Sequence, residues 1–186
     1  MTAQLAMPES RRLLPALALA VTVALVTAFA TWQLAQSDLR RQQRDHVLQE
    51  ISGLLADNAK LVNELRQVEG AVAEGAILST YLDLIRKDGV PRHSATKRSI
   101  DRLVDNNTVI VALTRHYLAQ DASSAFRAAA SQYIDYAASL RDRSQAVFEI
   151  FMAGGNLPAA NGERPANFEQ ELKAERYGNR AAGTGP

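Results

Sequence analysis

Apolar and polar positions divide this chain into three regimes. From Leu13 to Leu34 it reads LLPALALAVTVALVTAFATWQL, with no charged side chain. Roughly 20 such residues, rising 1.5 Å each as a helix, cross a bilayer core of about 30 Å. From Val47 the apolar positions become periodic: Val47, Ile51, Leu54, Asn58, Leu61, Leu65, Val68, Val72. Steps alternating between four and three mark a coiled-coil-like seam, in which Asn58 is the polar exception that can fix register. After Gly154-Gly155 the periodicity gives way to a stretch rich in Pro, Gly, Ala and Asn.

Punctuation between the apolar stripes predicts the helices. Gly70 and Gly75 interrupt the first seam, each costing about 1 kcal/mol against Ala inside a helix. They mark either a turn or a close crossing. Ile77, Tyr81, Leu84 and Ile85 resume an apolar face until Asp88-Gly89, and Pro91 forbids the helix to continue. Ser94 is a candidate N-cap for the next helix, whose face is Ile100, Leu103, Val104, Ile110, Val111, Leu113 and Leu118. Asp121 is a candidate cap for the one after, with Phe126, Ala130, Tyr133, Ala137, Leu140, Ser144, Val147 and Phe151 on one side.

The pattern predicts an all-α chain. Residues 1–12 form a short cytoplasmic tail, 13–34 a transmembrane signal anchor, 35–153 a helical bundle and 154–186 a mostly disordered tail. A transient helix over 167–177 would place Phe168 and Leu172 on one face. Helical stretches at 36–68, 71–88, 95–120 and 122–153, joined by short connections, give an antiparallel up-down-up-down four-helix bundle. The alternative is two long helices, 36–88 and 95–153, forming a coiled-coil hairpin that dimerises.

The flanks of the apolar stretch refine the membrane reading. Ala-Phe-Ala at 28–30 fits a signal-peptidase site, so cleavage at Ala30 competes with retention. No Gly or Pro breaks the helix before Ala30, and the pattern runs on past Trp32, which favours an uncleaved anchor. Arg11 and Arg12 on one side nearly balance Arg40, Arg41 and Arg44 on the other. The short N-terminal tail tips the orientation towards a periplasmic bundle on a bacterial inner membrane.

Composition removes chemistry rather than adding it. The 186 residues carry a formal net charge of +1 and no cysteine. No global field selects nucleic acid, and disulfides, thiolate metal sites and cysteine nucleophiles are absent. His46, His93 and His116 stand in no Glu-x-x-His pair or His-Glu-x-x-His motif. Phosphate loops and Gly-x-Ser-x-Gly elbows are missing too. The expectation is no enzyme, no metal and no cofactor. A haem reading with His46 and Met152 as axial ligands is outweighed by exposed His46 and Met152 as core filler. Tyr81, Tyr117, Tyr133 and Tyr136, with Arg115, are better read as core than as a ligand pocket.

The remaining candidate site is the basic turn. Arg86, Lys87, Arg92, Lys97, Arg98 and Arg102 crowd residues 86–102, against Asp88 and Asp101. Such a cluster suits an anionic partner, but helix-end cations also complement the helix dipole, and no interleaved aromatic invites nucleic acid. In layout alone, residues 11–153 resemble the extracytoplasmic half of bacterial chemoreceptors and sensor kinases. That resemblance implies an anchor leading into a four-helix sensory bundle. The tail MAGGNLPAANGERP offers no returning span, which turns the expectation towards a tethered accessory or scaffold module that binds another envelope protein or itself. A stand-alone ligand-binding sensor bundle is the alternative, and a small haem bundle the next.

Overall fold

The computed structural model describes residues 10–69, 76–119, 122–159 and 163–181, with side chains described for 22–66, 76–119, 122–159 and 163–178. It is all-helical among these residues. In order come α1 (Ser10–Glu69), α2 (Ile77–Asp88), a 3-10 turn (Val90–His93), α3 (Ser94–Leu118), α4 (Ser124–Ala153) and α5 (Ala166–Ala181). The chain divides into two compact units at Arg44/Asp45.

The first unit contains the N-terminal part of α1. Among the described residues no helix is long and apolar enough to cross a membrane. Side chains 13–21, which open the uncharged stretch, lie outside that description. From Val23 onward the apolar side chains are exposed, including Val26, Phe29, Trp32 and Leu34. The hydroxyls of Thr27 and Thr31 donate back to the carbonyls of Val23 and Thr27, at 2.8 and 2.6 Å. These residues therefore hold their polar groups within the helix.

The second unit, from Asp45, has one core. In α1 the buried residues are Leu48, Ile51, Leu55, Asn58, Leu61, Val62 and Leu65, with Val47 and Leu54 packed at the margin. The predicted seam is present but wider. Leu48, Leu55 and Val62 are also buried, because the stripe meets more than one neighbour. Val68 and Val72 lie outside the described side chains, as does the Gly70–Gly75 break.

α4 gives the bundle its directions. Asn107 meets Tyr133 and Tyr117 meets Phe126, so α3 runs antiparallel to α4. Ser79 meets Arg143 and Arg86 meets Gly155, so α2 runs parallel to α4 along its C-terminal half. Asn167 meets Gln132 and Glu175 meets Ser123, so α5 runs antiparallel to α4 along its N-terminal half. α1 lies beside α3, with Asn58 against Asn106 and Asp57 against Arg102. Two short helices, α2 and α5, thus cover different halves of α4, where the expected bundle had only the helix at 71–88 and no docked helix from the tail.

The helix ends differ from expectation in detail. Ser94 is inside α3 and caps nothing: the 3-10 turn leads the chain directly into the helix. Pro91 suits the first turn of that segment, where no backbone N–H is needed. Gly89 takes φ 85°, and its N–H donates to the Ile85 carbonyl at 3.0 Å. Asp121 lies outside the described residues; the cap of α4 is Ser123, whose Oγ accepts from the Phe126 N–H at 3.1 Å. α4 stops at Gly154, at φ 77° in the left-handed region where glycine carries no Cβ penalty.

The largest difference is α5. Where sequence pattern suggests a transient helix in a disordered tail, Phe168, Leu172 and Glu175 are buried. The Phe168 ring stacks on Tyr133 with centroids 4.2 Å apart and lies 5.7 Å from Phe126. A buried Phe is worth about 1.5–3 kcal/mol of transfer free energy, and aromatic pairing adds to it. That anchoring lets a polar helix hold its place. Phe168→Ala removes up to about 3–5 kcal/mol. In limited proteolysis α5 should then be cut before the rest of the bundle, and the thermal midpoint should fall. Phe148→Ala, at an exposed position, should do neither. An unchanged cleavage pattern in Phe168→Ala would mean that Phe168 does not hold α5.

Candidate interaction surface and buried polar core

The six basic residues of the turn cluster at one end of the second unit, but half of them are already paired. Arg86 lies 3.7 Å from Asp83 and donates to the Gly155 carbonyl. Lys97 pairs with Asp101 one helical turn along α3. Arg102 reaches Asp57 of α1 at 3.6 Å. Lys87, Arg92 and Arg98 are exposed and make no ion pair among the described residues. His93 sits between the helices with Nε2 3.5 Å from Asp88, too poorly aligned for a hydrogen bond. The turn is therefore a mixed-charge corner, not a uniform basic hand. Arg86 also has a positional duty, tying α2 to the end of α4.

Beside this corner lies a feature the periodicity hides. Phe148 and Met152, one turn apart on α4, are 50% and 75% exposed. Phe151 is half-buried, its ring 6.2 Å from that of Phe148. Met152 is thus a surface residue and not the core filler expected. His46 is also exposed, 3.9 Å from Glu50, so the two candidate haem ligands both stand on the surface. A shallow groove of about 30 Å³ runs beside Phe148, with Leu78, Tyr81 and Ile100 in its wall and Lys97 and Asp101 at its rim. It holds a side-chain tip, not an organic ligand.

A second cleft, about 210 Å³, is lined by Arg66, Glu163, Arg164, Ala166 and Glu169. Arg164 and Glu169 pair there at 3.1 Å, and Arg66 and Glu163 add one further charge of each sign to the wall. Among the described residues, no group of three or more His, Asp or Glu is placed to hold a metal ion.

The interior is more polar than the sequence suggests. Asn58 is buried, and its Oδ1 accepts from Asn106 Nδ2 at 2.9 Å, while its own Nδ2 finds no partner. Asn107 donates to the Leu103 carbonyl at 2.7 Å and accepts from the Tyr133 hydroxyl. The Tyr117 hydroxyl donates to Glu175 Oε2 at 2.8 Å, and the Ser123 N–H donates to Oε1 at 2.7 Å. Glu175 thus closes the α3–α4 turn with a carboxylate placed at the N-terminus of α4, where the helix dipole favours it. Tyr81, Tyr117, Tyr133 and Tyr136 are all buried and Arg115 is exposed, so the tyrosines are core with partnered hydroxyls at 117 and 133. Arg143, also buried, donates to the Pro158 carbonyl at 3.1 Å and approaches Ser79 Oγ at 3.4 Å. Burial lowers the pKa of its guanidinium below the usual value, without discharging it near neutrality.

No protein-family model, no curated protein and no solved structure matches the chain.

Two measurements probe the core and the corner. Asn58→Leu removes an unsatisfied buried donor and leaves half-buried Asn106 within reach of water, so it should raise stability by about 1 kcal/mol. Chemical denaturation reads this directly, and a loss instead would show the Asn58–Asn106 bond to be a net stabiliser. Reversing Lys97 and Arg98 together to Glu disturbs only half-exposed or exposed groups, so the unfolding free energy should fall by less than about 1 kcal/mol. A larger loss would give that corner a structural rather than an interaction role.

Proposed function

We propose that this chain is a single-pass, membrane-anchored helical docking module of a bacterial envelope. It would act as an accessory subunit whose second unit engages another envelope protein or a further copy of itself. The observation that carries the reading is the N-terminal part of α1. The helix starts at Ser10 and continues through the whole uncharged stretch 13–34. From Val23 to Leu34 its apolar residues are exposed rather than packed. A helix apolar on all sides needs a surrounding apolar medium, and lipid supplies one. The back-bonded hydroxyls of Thr27 and Thr31 suit the same medium, where an unsatisfied polar group costs several kcal/mol. Trp32 fits the headgroup region at its end.

A docking role is supported by what surrounds the core. The described clefts, about 210 and 30 Å³, are smaller than the roughly 300–1,000 Å³ usual for ligand sites. The turn at 86–102 and the end of α4 combine unpaired cations with exposed apolar side chains. That combination suits a protein surface better than a solvated corner. The tagged full-length chain in bacterial membranes should stay in the pellet after alkaline carbonate washing, and deletion of residues 13–34 should release it. Release of the intact chain would sink the anchor. In a mild-detergent pull-down, reversing Lys97 and Arg98 to Glu should reduce partner recovery without changing the amount of folded bait. Equal recovery would remove the basic corner from the interface.

A further inference from the structure

We infer that the aromatic groove filled by α5 is the site at which this chain binds a second copy of itself, by taking that copy's α5. The choice of partner rests on the docking-module reading. The site itself lies on the N-terminal half of α4, away from the turn at 86–102.

The groove is built on α4. Phe126, Ala129, Ala130 and Tyr133 stand at i, i+3, i+4 and i+7, so they share one face, and all four are buried. Two small side chains between two rings leave room for an incoming one. Phe168 takes it, with its ring 5.7 Å from Phe126 and 4.2 Å from Tyr133. Leu172 follows one turn on and is buried. Glu175, a turn further, meets the Tyr117 hydroxyl and the Ser123 N–H. This is a helix in a groove, with an aromatic anchor at i, an aliphatic one at i+4 and a carboxylate at i+7.

The fit belongs to α5 and not to its connection. Among the described side chains of α5, only Phe168, Leu172 and Glu175 are buried. So few anchors let the helix open at lower cost than the core formed by α1, α3 and α4. The chain before it is held at Pro158 by Arg143, and the Pro165 carbonyl already accepts from the Phe168 N–H at 3.2 Å. Between these points runs AANGER, residues 159–164, with no large apolar side chain and with Ala159 and Glu163 exposed. Opening leaves the Phe126 and Tyr133 rings in water, and the segment shown to cover them is α5. A second copy carries that segment in identical form. Exchanging one element between identical chains keeps its contacts and costs only the association, which a shared membrane offsets by raising the local concentration.

The cysteine-free sequence allows a direct test. Asn167 Nδ2 donates to Gln132 Oε1 at 3.2 Å, and both residues are exposed. Two differently tagged full-length copies, one Gln132→Cys and one Asn167→Cys, are co-expressed in membranes and treated with a short bismaleimide. Linked heterodimer should form at about tenfold the level given by Asn167→Cys with Gln145→Cys, which is exposed on the other half of α4. Adding Phe168→Ala to the Asn167→Cys copy should remove the excess. Both cysteines in one chain should link internally, which shows that the variants fold with α5 in place. Internal linkage with no heterodimer above the Gln145→Cys level overturns the inference, as does a heterodimer that Phe168→Ala leaves unchanged. Absence of the internal link would show the groove unfilled by α5 and overturn it too. If the Phe168-dependent heterodimer forms but carbonate strips the chain from the membrane, the anchor fails and this site stands. If another envelope protein is recovered and no heterodimer forms, the docking module stands and this site fails.

Discussion

The stack of Phe168 on Tyr133 joins parts of the chain that share no local structure. Tyr133 lies on α4, and its hydroxyl donates to Asn107 of α3. Phe168 lies on α5, 4.2 Å away ring to ring. Phe126 lies 5.3 Å from Tyr117 and 5.7 Å from Phe168, so one aromatic cluster holds three helices. Burial of these rings supplies most of the affinity of α5, whose remaining surface is largely polar. Glu175 then sets the registration: its two oxygens meet a hydroxyl of α3 and the backbone N–H of the α4 cap. Apolar burial holds α5 down and the carboxylate decides where along the groove it stops.

A second constraint operates at the other half of the bundle. α2 is only twelve residues long, too short to be stable alone. Leu78, Tyr81, Leu82 and Ile85 bury its inner face. Arg86 and Arg143 fix its ends through the Gly155 carbonyl and Ser79. Both arginines donate to the segment following α4, at Gly155 and Pro158. The connection that leads to α5 is therefore held by the same side chains that hold α2. The two short helices are linked through that segment, although they cover different halves of α4.

Helix type and most of the core were legible in sequence because they follow from a periodicity that needs only local information. Gly89, Pro91 and Gly154 punctuate the chain where the elements end, since backbone geometry at those points admits few alternatives. Leu48, Leu55 and Val62 escaped the seam because a single-stripe pattern assumes one neighbouring helix. The helix at 167–177 and its Phe168/Leu172 face were legible, but the anchoring of α5 escaped because Pro, Gly and Asn dominate the flanking composition and its partners lie far away in sequence. Glu175 binds groups 58 and 52 residues distant, and no spacing rule reaches that far. The cap of α4 is Ser123 because its hydroxyl reaches the N–H three residues on, at Phe126, a position that depends on where the helix starts.

The basic turn shows how folding changes a charge count made along the chain. Counted along the chain, residues 86–102 hold six cations against two acids. Folding brings in Asp83 from the preceding turn and Asp57 from α1, and Lys97 turns to Asp101. Exposed pairs of this kind contribute little stability, but they offset part of the local positive field, leaving Lys87, Arg92 and Arg98 to carry the rest. Exposed at the same end, besides the unpaired Lys87, Arg92 and Arg98, are two apolar side chains, Phe148 and Met152. Desolvating those two side chains gains free energy with any apolar partner.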